Sequence, residues 1–343
     1  MKAMVLNGIV DLTKNQAPLT LVQMPMPEIT ADEVLVKVVA CGVCHTELDE
    51  IEGRTPPPIF PMILGHQVVG RIAAVGPAVR QLKAGDRVGV AWIYWACGQC
   101  DYCQQGLDNL CARFQATGRD ANGGYAQYMK VSERFAHPLS DAISDVEAAP
   151  LLCAGAIGYR SLRLTGLQNG QSLGLTGFGA SAHLVLKLAR YQYPDSPVYV
   201  FARNPREQQF ALELGAAWAG HTDDAPPEAL NAVIDTTPAW QPVVAALGCL
   251  APGGRLVINA IRKESSDQER LLTLDYADHL WQEKEIKSVA NVSRQDVVDF
   301  LDLAVQIPIK PEVQIYPLES ANTALMELKQ RKIRGAKVLV VDE

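Results

Sequence analysis

The sequence has no uninterrupted apolar run close to the roughly 20 residues that a membrane-spanning helix requires. Basic residues are in the minority, with 31 Lys and Arg against 38 Asp and Glu, so we expect neither nucleic acid nor anionic membranes among its partners. Residues 1–16 also lack the apolar segment and the cleavage site of a secretory signal peptide. We therefore expect a cytoplasmic protein, in which thiols stay reduced and clustered cysteines are metal ligands rather than disulfides.

Aromatic residues make up only 6% of the chain and charged residues 20%, while 48% are hydrophobic, which is typical of a soluble globular protein. No internal repeat or low-complexity segment is present. A length of 343 residues exceeds what a single hydrophobic core usually supports, so two domains are expected.

The pattern of apolar segments changes near Pro150. Before it, alternating or β-branched runs at 33–40, 68–76 and 84–92 are separated by long loops, which predicts a compact all-β domain. After it, strands alternate with helical segments, which predicts βαβ units and a parallel sheet. These segments are 171–179, 180–192, 197–203, 205–216, 231–237, 240–254 and 255–260. Near residue 288 the alternation ends, and the mixed tail beyond it is compatible with either domain.

Gly177, Gly179 and Ala182 match the G-x-G-x-x-G/A pattern between a predicted strand and a predicted helix. The first glycine permits a tight turn, and the second lets the backbone approach a pyrophosphate. The N-terminus of the helix then supplies amide donors and partial positive charge. An ordinary glycine turn is the alternative, but the βαβ context favours a dinucleotide site.

The residues at the end of the next strand indicate which dinucleotide binds. NAD sites commonly place an acidic residue about 20 positions after the glycines, where it bonds the ribose 2′-hydroxyl. This chain has Ala202, Arg203 and Asn204 there, followed by Arg206. A guanidinium suits a 2′-phosphate that a carboxylate would repel, so the sequence favours NADP(H) over NAD(H). A solvated pair of surface arginines is the alternative interpretation.

Four of the eight cysteines, Cys97, Cys100, Cys103 and Cys111, lie within 15 residues. Thiolates at such short intervals can surround one tetrahedral ion. An iron–sulfur cluster is the rival, but the ferredoxin run ends with a gap of three residues and a proline, whereas here the last gap is seven residues and alanine follows. Because all four ligand positions are then taken, we predict a structural zinc.

Cys44, His66 and Cys153 are far apart in the sequence. Taken separately, a lone histidine or a small apolar cysteine is more often a core residue than a ligand. Taken together, they offer three protein ligands and leave a fourth position open, which is the ligand set of a catalytic zinc.

With these segments in order, the sequence resembles the zinc-containing medium-chain alcohol dehydrogenases over essentially its whole length. The similar segments are GVCHTE at 42–47, GHQVVG at 65–70, the four-cysteine lobe, GGYAQY at 123–128, LLCAGAIGY at 151–159 and the glycine turn. The resemblance implies an α/β protein in which residues 1–149 and 289–343 form a GroES-like β-barrel catalytic domain. Residues 150–288 then form a Rossmann domain with a doubly wound parallel sheet that binds the coenzyme, and the active-site cleft lies between the domains.

The resemblance also implies roles for individual residues. Cys44, His66 and Cys153 are expected to bind the catalytic zinc, which makes two zinc ions per chain with the structural site, and Cys41 is expected not to be a ligand. His45 and Ala180 are expected to join the glycine turn and the segment at 202–204 in binding the cofactor.

The implied activity is that of an NAD(P)-dependent alcohol dehydrogenase or aldehyde reductase. Zinc acts as a Lewis acid on the hydroxyl or carbonyl group while hydride passes to or from the nicotinamide. Thr46 occupies the position of the hydroxyl that carries the proton away, with a turn or cap role as the alternative. Trp92 belongs to an aromatic segment that lines the substrate pocket in relatives, which favours a primary or aromatic alcohol or aldehyde, although a core or subunit-contact role is equally compatible. The resemblance further implies a homodimer or homotetramer.

Three positions depart from the family pattern. Gln67 replaces the glutamate beside the histidine ligand, Asp49 replaces a histidine that often ends the proton relay, and Ala336 replaces an arginine that holds the pyrophosphate. Lys337 and Arg334 are candidates to replace that arginine. The first two departures support the alternative of a non-catalytic nucleotide-binding or redox-sensing protein on the same scaffold. Zinc content distinguishes the two, with two ions per chain expected for the enzyme and one for the alternative.

Overall fold

The computed structural model describes residues 1–307, 309–332 and 335–341. The chain forms two compact units, one made of Met1–Cys153 with the described part of Val292–Glu343, and the other of Ala154–Asn291. The assignment of catalysis and coenzyme binding to separate domains remains a prediction. Within the described ranges, no helix combines the length and the apolar character needed to cross a bilayer.

Strands dominate the N-terminal part of the first unit. The longest follows the predicted alternation, since half-buried and buried residues alternate along residues 33–40. The strands are β1 (Lys2–Leu6), β2 (Leu19–Gln23), β3 (Glu33–Val43), β4 (Met62–Ile63), β5 (Val68–Val75), β6 (Arg87–Val90), β7 (Ile93–Trp95), β8 (Gln115–Ala116), β9 (Tyr128–Ser132) and β10 (Ala136–Pro138). The helices are α1 (His45–Ile51), α2 (Asp101–Gln104) and α3 (Asp145–Pro150), followed by a π-helical turn at Leu151–Gly155.

The second unit is built on a six-stranded parallel sheet with the order β13-β12-β11-β14-β15-β16. Its central strands are buried along their whole length, as expected for parallel strands covered on both faces. The strands are β11 (Leu173–Thr176), β12 (Val198–Phe201), β13 (Trp218–Gly220), β14 (Leu230–Asp235), β15 (Leu250–Ile258) and β16 (Glu285–Ser288). The helices are α4 (Ala156–Thr165), α5 (Ala180–Gln192), α6 (Pro205–Glu213) and α7 (Gln241–Cys249), with short helical turns at Gln268–Thr273 and Tyr276–Leu280. The strand order is that of a doubly wound dinucleotide-binding fold.

The C-terminal tail returns to the first unit. It consists of α8 (Arg294–Gln306), β17 (Val313–Pro317), α9 (Ala321–Lys329) and β18 (Ala336–Val340). Strand β18 pairs antiparallel with β3 and parallel with β17, so it extends the order β10-β6-β5-β3-β18-β17, while β9 pairs with the other part of β3. A smaller antiparallel sheet has the order β2-β1-β4. The core of this unit draws on both sheets and on α9, and Tyr125 and Phe135 are its largest fully buried aromatic side chains.

Candidate active site

The first unit brings together three side chains that are distant in the sequence. The ligand atoms of Cys44, His66 and Cys153 all lie within 4.8 Å of one another. His66 Nε2 lies 3.2 Å from Cys153 Sγ, and both of these side chains are buried. Two thiols and an imidazole are the soft and borderline donors that zinc prefers, and three protein ligands are the number found in catalytic zinc sites.

Local structure explains how each of the three side chains is placed. Cys44 is the N-cap of α1, and its Sγ accepts from the backbone N–H of Thr46 at 3.5 Å. His66 lies in the four-residue segment between the end of β4 at Ile63 and the start of β5 at Val68. Cys153 lies in the π-helical turn that continues from Pro150, the last residue of α3. Such wide turns within helices occur often at functional sites.

Glu47 connects two of the candidate ligands, a role that was not predicted from the sequence. Its Oε2 accepts from the Cys44 backbone N–H at 2.8 Å, and its Oε1 lies 2.6 Å from His66 Nδ1. A carboxylate behind a metal-binding imidazole fixes the orientation of the ring and raises its basicity. The signal in the sequence is an acidic residue three positions after the N-cap, which is the capping-box spacing.

The electrostatics of the cluster also suit a cation. Burial opposes ionisation of His66, but the carboxylate of Glu47 and the neighbouring Cys44 outweigh it, so the pKa of His66 is raised well above its ordinary value. The hydrogen bond from Cys153 lowers the pKa of Cys44 well below that of a free thiol, and the same contact raises the pKa of Cys153. The thiol and carboxylate charge gathered around this buried imidazole is the kind of environment in which a metal cation would be held.

Glu50 is a second buried carboxyl on α1, one turn beyond Glu47. Burial, assisted by the charge of Glu47, raises its pKa well above the usual value. Neither of its oxygens has a hydrogen-bond partner within the described part of the chain. No local signal marks Glu50 in the sequence, because a glutamate in a short polar segment resembles a solvated surface residue.

The three residues predicted to take part in catalysis lie in different surroundings. Thr46 is buried, and its Oγ1 lies 3.5 Å from Cys44 Sγ. Asp49 is also buried, and its Oδ1 accepts from Arg54 Nε at 2.5 Å. Trp92 is half-buried, its ring stacks on Phe114 with centroids 4.6 Å apart, and its Nε1 is without a hydrogen-bond partner in the described residues. Thr46 is therefore placed beside the candidate ligands, whereas Asp49 is held by an ion pair.

The four-cysteine lobe forms a second cluster. The sulfur atoms of Cys97, Cys100, Cys103 and Cys111 all lie within 4.8 Å of one another, which suits a closed tetrahedral site. Cys97 Sγ accepts from the Cys100 backbone N–H at 3.4 Å, an arrangement that favours a thiolate. With four sulfur donors around one point, no ligand position remains for a substrate.

The glycine turn lies at the carboxyl end of β11. Gly177 has φ +76°, a left-handed conformation that favours glycine, and a Cβ there would lie 2.9 Å from Thr236 Oγ1. Gly179 is the N-cap of α5, and a Cβ there would meet no atom within 4 Å. The backbone at Gly179 is thus open to a ligand at the start of a 13-residue helix that begins at Ala180.

The segment after β12 has a buried residue, an exposed residue and a cap. Ala202 is buried and its carbonyl accepts from Gln208 Nε2 at 2.6 Å, whereas Arg203 is exposed. Asn204 caps α6 by accepting from the Arg206 backbone N–H at 3.0 Å. The small side chain of Ala202 and the exposed guanidinium of Arg203 thus lie at the strand end where an NAD site carries an acid.

The remaining predicted positions are separate from these clusters. His45 is exposed at the start of α1, and Cys41 is buried in β3 outside both cysteine groups. Gln67 is buried and packs closely against Gly42. A Cβ added to Gly42 would lie only 2.5 Å from Gln67 Oε1.

Lys337 and Arg334 were the two candidates to replace the family's pyrophosphate-binding arginine, whose position is occupied by Ala336 in this chain. Lys337, a candidate to replace it, is fully buried and donates to Gln314 Oε1, Tyr316 OH and Glu327 Oε2 at 2.6–2.9 Å. Because an ammonium has three protons, Lys337 has none left for a pyrophosphate, and that candidacy is wrong. Arg334 lies outside the described residues.

Comparison with known proteins is consistent with this architecture. Residues 30–141 match the alcohol dehydrogenase GroES-like domain. The chain is 43% identical over 329 residues to the probable alcohol dehydrogenase AdhA of Mycobacterium tuberculosis, covering 94% of this chain and 93% of that protein. It is 32% identical over 334 residues to an alcohol dehydrogenase of Geobacillus stearothermophilus, covering 95% and 97%. Among solved structures it resembles a cinnamyl alcohol dehydrogenase from Sorghum bicolor, with a TM-score of 0.84 and 25% identity over 99% of this chain and 97% of that one.

A GroES-like unit and a Rossmann unit in one chain define the medium-chain dehydrogenases, which confirms the predicted fold class. The chain belongs to the zinc-containing medium-chain alcohol dehydrogenase family, as the resemblance of its motifs predicted.

Proposed function

We propose that the protein is a zinc-dependent alcohol dehydrogenase or aldehyde reductase that uses a nicotinamide dinucleotide. The convergence of Cys44, His66 and Cys153 within 4.8 Å is the observation that carries this proposal. The family supports the same reaction class, because its members transfer hydride between an alcohol and a nicotinamide cofactor.

The residues around the cluster have distinct tasks in this reaction. Cys44, His66 and Cys153 hold the catalytic zinc, which supplies Lewis-acid chemistry that lowers the pKa of a hydroxyl group or polarises a carbonyl. Glu47 Oε1, 2.6 Å from His66 Nδ1, pairs with the imidazole and keeps Nε2 directed toward the cysteines. Thr46, with its hydroxyl 3.5 Å from Cys44 Sγ, takes the proton of the alcohol and passes it on.

Asp49 is the candidate for the end of this relay. Its Oδ1 already accepts from Arg54 Nε, so this oxygen is engaged in an ion pair within the protein. The relay therefore depends on Thr46 more than on Asp49.

The four-cysteine lobe holds a second zinc with a structural role. The sulfur donors of Cys97, Cys100, Cys103 and Cys111 close the coordination sphere, so this ion stabilises the lobe and takes no part in the reaction.

We propose NADP(H) as the favoured cofactor over NAD(H). The glycine turn at Gly177 and Gly179 and the helix start at Ala180 receive the pyrophosphate. Ala202 leaves room for a 2′-phosphate, and the exposed Arg203 offers its planar fork, with Asn204 ordering the backbone beside it. His45, exposed at the start of α1, is kept as a proposed cofactor-binding residue.

The proposed substrate is a primary or aromatic alcohol or the corresponding aldehyde. Trp92 offers an aromatic face, held by stacking on Phe114, and its indole N–H has no partner in the described residues. The name of the Sorghum relative, a cinnamyl alcohol dehydrogenase, points in the same direction.

We further propose that the protein is cytoplasmic and that it forms a homodimer or a homotetramer. Strand β16 is at the edge of the parallel sheet and all four of its residues are exposed. Leu272, Tyr276 and Trp281, in the segment before it, are also exposed. Unpaired strand edges and apolar patches are commonly covered by a second subunit.

A combined measurement of metal content and turnover tests the proposal. The purified protein should contain two zinc ions per chain and oxidise aromatic and primary alcohols in a panel run with NADP and NAD in parallel. His66→Ala should contain one zinc, lose turnover and keep dinucleotide binding. Unchanged turnover in a folded His66→Ala variant contradicts the catalytic site, whereas one zinc in the wild-type protein without turnover supports a non-catalytic nucleotide-binding protein instead.

A further inference from the structure

The parallel sheet has a reversal of strand order between β11 and β14. The carboxyl ends of these strands are Thr176 and Asp235. Ligands of doubly wound sheets bind in the crevice outside this point. Residues that fix the loops after β14 and β15 therefore affect how a dinucleotide is held, and this inference rests on the proposed dinucleotide-binding function.

Asp235 is fully buried at this point and makes an unusual number of polar contacts. Its Oδ1 accepts from Thr176 Oγ1 at 2.5 Å, which ties the end of β14 to the end of β11. The same oxygen accepts from Thr237 Oγ1 at 2.8 Å and from the Thr237 backbone N–H at 3.2 Å. Its other oxygen, Oδ2, accepts from Lys263 Nζ.

Lys263 comes from the loop that follows β15, and its side chain is only 9% exposed. Besides Asp235, its ammonium donates to the carbonyl oxygens of Thr237 at 2.8 Å and Ala239 at 3.0 Å. All three protons are therefore used, and all three acceptors belong to β14 or to the loop after it. The side chain joins two consecutive βα connections of the sheet.

Backbone contacts join the same two loops on either side of Lys263. The Asn259 N–H donates to the Asp235 carbonyl at 2.8 Å, and the Glu264 N–H donates to the Pro238 carbonyl at 2.7 Å. Farther along, the Asp267 carboxylate accepts from the N–H groups of residues 240 and 241, at the start of α7. The loops after β14 and β15 are thus held to each other along their length, with the ion pair at the centre.

This pair of loops packs directly against the glycine turn. A Cβ on Gly177 would lie 2.9 Å from both Thr236 Oγ1 and Thr237 Cγ2, so the loop after β14 leaves no room for a side chain there. Thr236 Oγ1 also donates to the Thr176 carbonyl at 2.9 Å. A displacement of this loop would therefore also move the glycine turn, which is proposed to receive the pyrophosphate.

A buried ion pair of this kind is seldom explained by stability. Replacing such a pair by apolar side chains of similar size often leaves stability unchanged or improves it, because both charges were taken out of water. What an apolar contact does not provide is direction, since each of the three donor–acceptor contacts of Lys263 fixes the position of one backbone or side-chain oxygen.

We propose that Lys263 and Asp235 form a clamp that positions the loops after β14 and β15 for the nicotinamide half of the dinucleotide. The two halves of a dinucleotide lie on opposite sides of the switch point, and the adenosine ribose is at the end of β12. The nicotinamide half of the dinucleotide, which lies on the β14 side of the switch point, therefore faces the clamped loops. Both residues are positioning residues, since their polar atoms are directed to protein groups.

Ligands that contain one or both halves of the cofactor test the clamp. In the full chain, Lys263→Met should raise the Kd for the dinucleotide about tenfold. The reason is that the loops after β14 and β15 would shift away from the position in which they contact the nicotinamide half. The Kd for the adenosine half alone, 2′,5′-ADP when NADPH is the tighter ligand or ADP when NADH is, should change less than twofold. Asp235→Asn, which changes the other residue of the ion pair, should raise the Kd for the dinucleotide and not that for its adenosine half. Lys263→Arg should keep most of the dinucleotide affinity.

Lys284 offers a matched control. Its ammonium donates to the carbonyl oxygens of Leu247 at 3.0 Å and Asp278 at 2.7 Å, but it lies just before β16, at the amino end of that strand. Lys284→Met should leave the affinities for both ligands unchanged. Equal weakening of the dinucleotide and its adenosine half, or an unchanged dinucleotide Kd in either clamp variant, overturns the clamp alone. Absence of dinucleotide binding by the wild-type chain overturns the proposed function as well.

Discussion

Glu47 Oε1 lies 2.6 Å from His66 Nδ1, and the two side chains are enclosed by protein, with exposures of 0% and 1%. The other oxygen of Glu47 accepts from the backbone of Cys44, so one carboxylate orients two candidate zinc ligands. We expect Glu47→Gln to weaken zinc binding at this site by about 10- to 100-fold, because the amide is neutral and orients the imidazole poorly. The measurement is the rate of zinc transfer to a chelator.

A carboxylate on the surface serves as the control for that variant. Glu319 is 43% exposed and pairs only with Lys2 among the described ion pairs. Glu319→Gln should release zinc at the wild-type rate, and an equal rate in Glu47→Gln would show that the carboxylate does not support the metal site.

The position of the Thr46 hydroxyl leads to a prediction for the catalytic rate. Its hydroxyl is next to Cys44 Sγ, and its methyl group is not needed for proton transfer. Thr46→Ala should lower kcat by about 10²- to 10³-fold with zinc content unchanged, because a positioned proton carrier contributes an effect of that size. Thr46→Ser should restore most of the activity. Asp49→Asn should have a smaller effect, since Arg54 already holds that carboxylate. Loss of activity in Thr46→Ser as well would indicate a packing role instead.

Substitution of Arg203 tests the proposed preference for NADP(H) over NAD(H). Arg203→Ala should raise KM for NADPH by roughly 10- to 100-fold, as expected for loss of hydrogen bonds to a charged group, and should change KM for NADH little. Steady-state kinetics with both cofactors provide the measurement. A parallel rise in both values would mean that Arg203 does not contact a 2′-phosphate.

The elements that could be predicted from the sequence are those with a local signal. The helix at 180–192 is where its apolar periodicity and the preceding glycines predict it. The cysteine lobe is equally local, because its four thiols are brought together within a few turns of chain. Cys44, His66 and Cys153 could be grouped only by their residue types and by the family resemblance, since no periodicity relates residues so far apart.

Other features had no local signal at all. Glu47 and His66 are on different elements, and only the folded chain shows that they face each other. The pair formed by Asp235 and Lys263 joins two loops across 28 residues. The wide turn that carries Cys153 depends on how the helix continues beyond Pro150, for which propensities give no rule.

The four-cysteine lobe is joined to the rest of the first unit through Asp108, whose Oδ2 accepts from the backbone N–H of Arg294 at the start of α8. Loss of the zinc proposed for the lobe should therefore lower stability and leave the chemistry intact. We expect Cys103→Ser to contain one zinc fewer and to melt about 10 °C lower, which corresponds to a few kcal/mol for a unit of this size. The folded protein should retain its kcat.

Cys249, outside both cysteine clusters, supplies the control for the lobe. Cys249→Ser should keep both zinc ions and melt close to the wild-type temperature. If Cys103→Ser abolished kcat while the catalytic zinc remained bound, the lobe would have to be assigned a part in the reaction.

His137 gives the protein a pH-dependent stability that is unrelated to either metal site. It lies in β10, is 4% exposed, and burial, together with the nearby charge of Arg294, lowers its pKa to about 4. In the unfolded chain the imidazole takes up its proton near pH 6.5. Between these two values the unfolded state binds more protons, so stability is lost as pH falls, by about 2 kcal/mol from pH 7 to pH 5.

Replacing His137 by glutamine should remove that part of the pH dependence. Urea unfolding of metal-free protein at pH 7 and pH 5 gives the free energy of unfolding at each pH, and the wild-type chain should lose about 2 kcal/mol more than His137→Gln. An equal loss of stability in wild type and His137→Gln would mean that the buried imidazole is protonated in the folded protein, with its charge balanced by a group near β10.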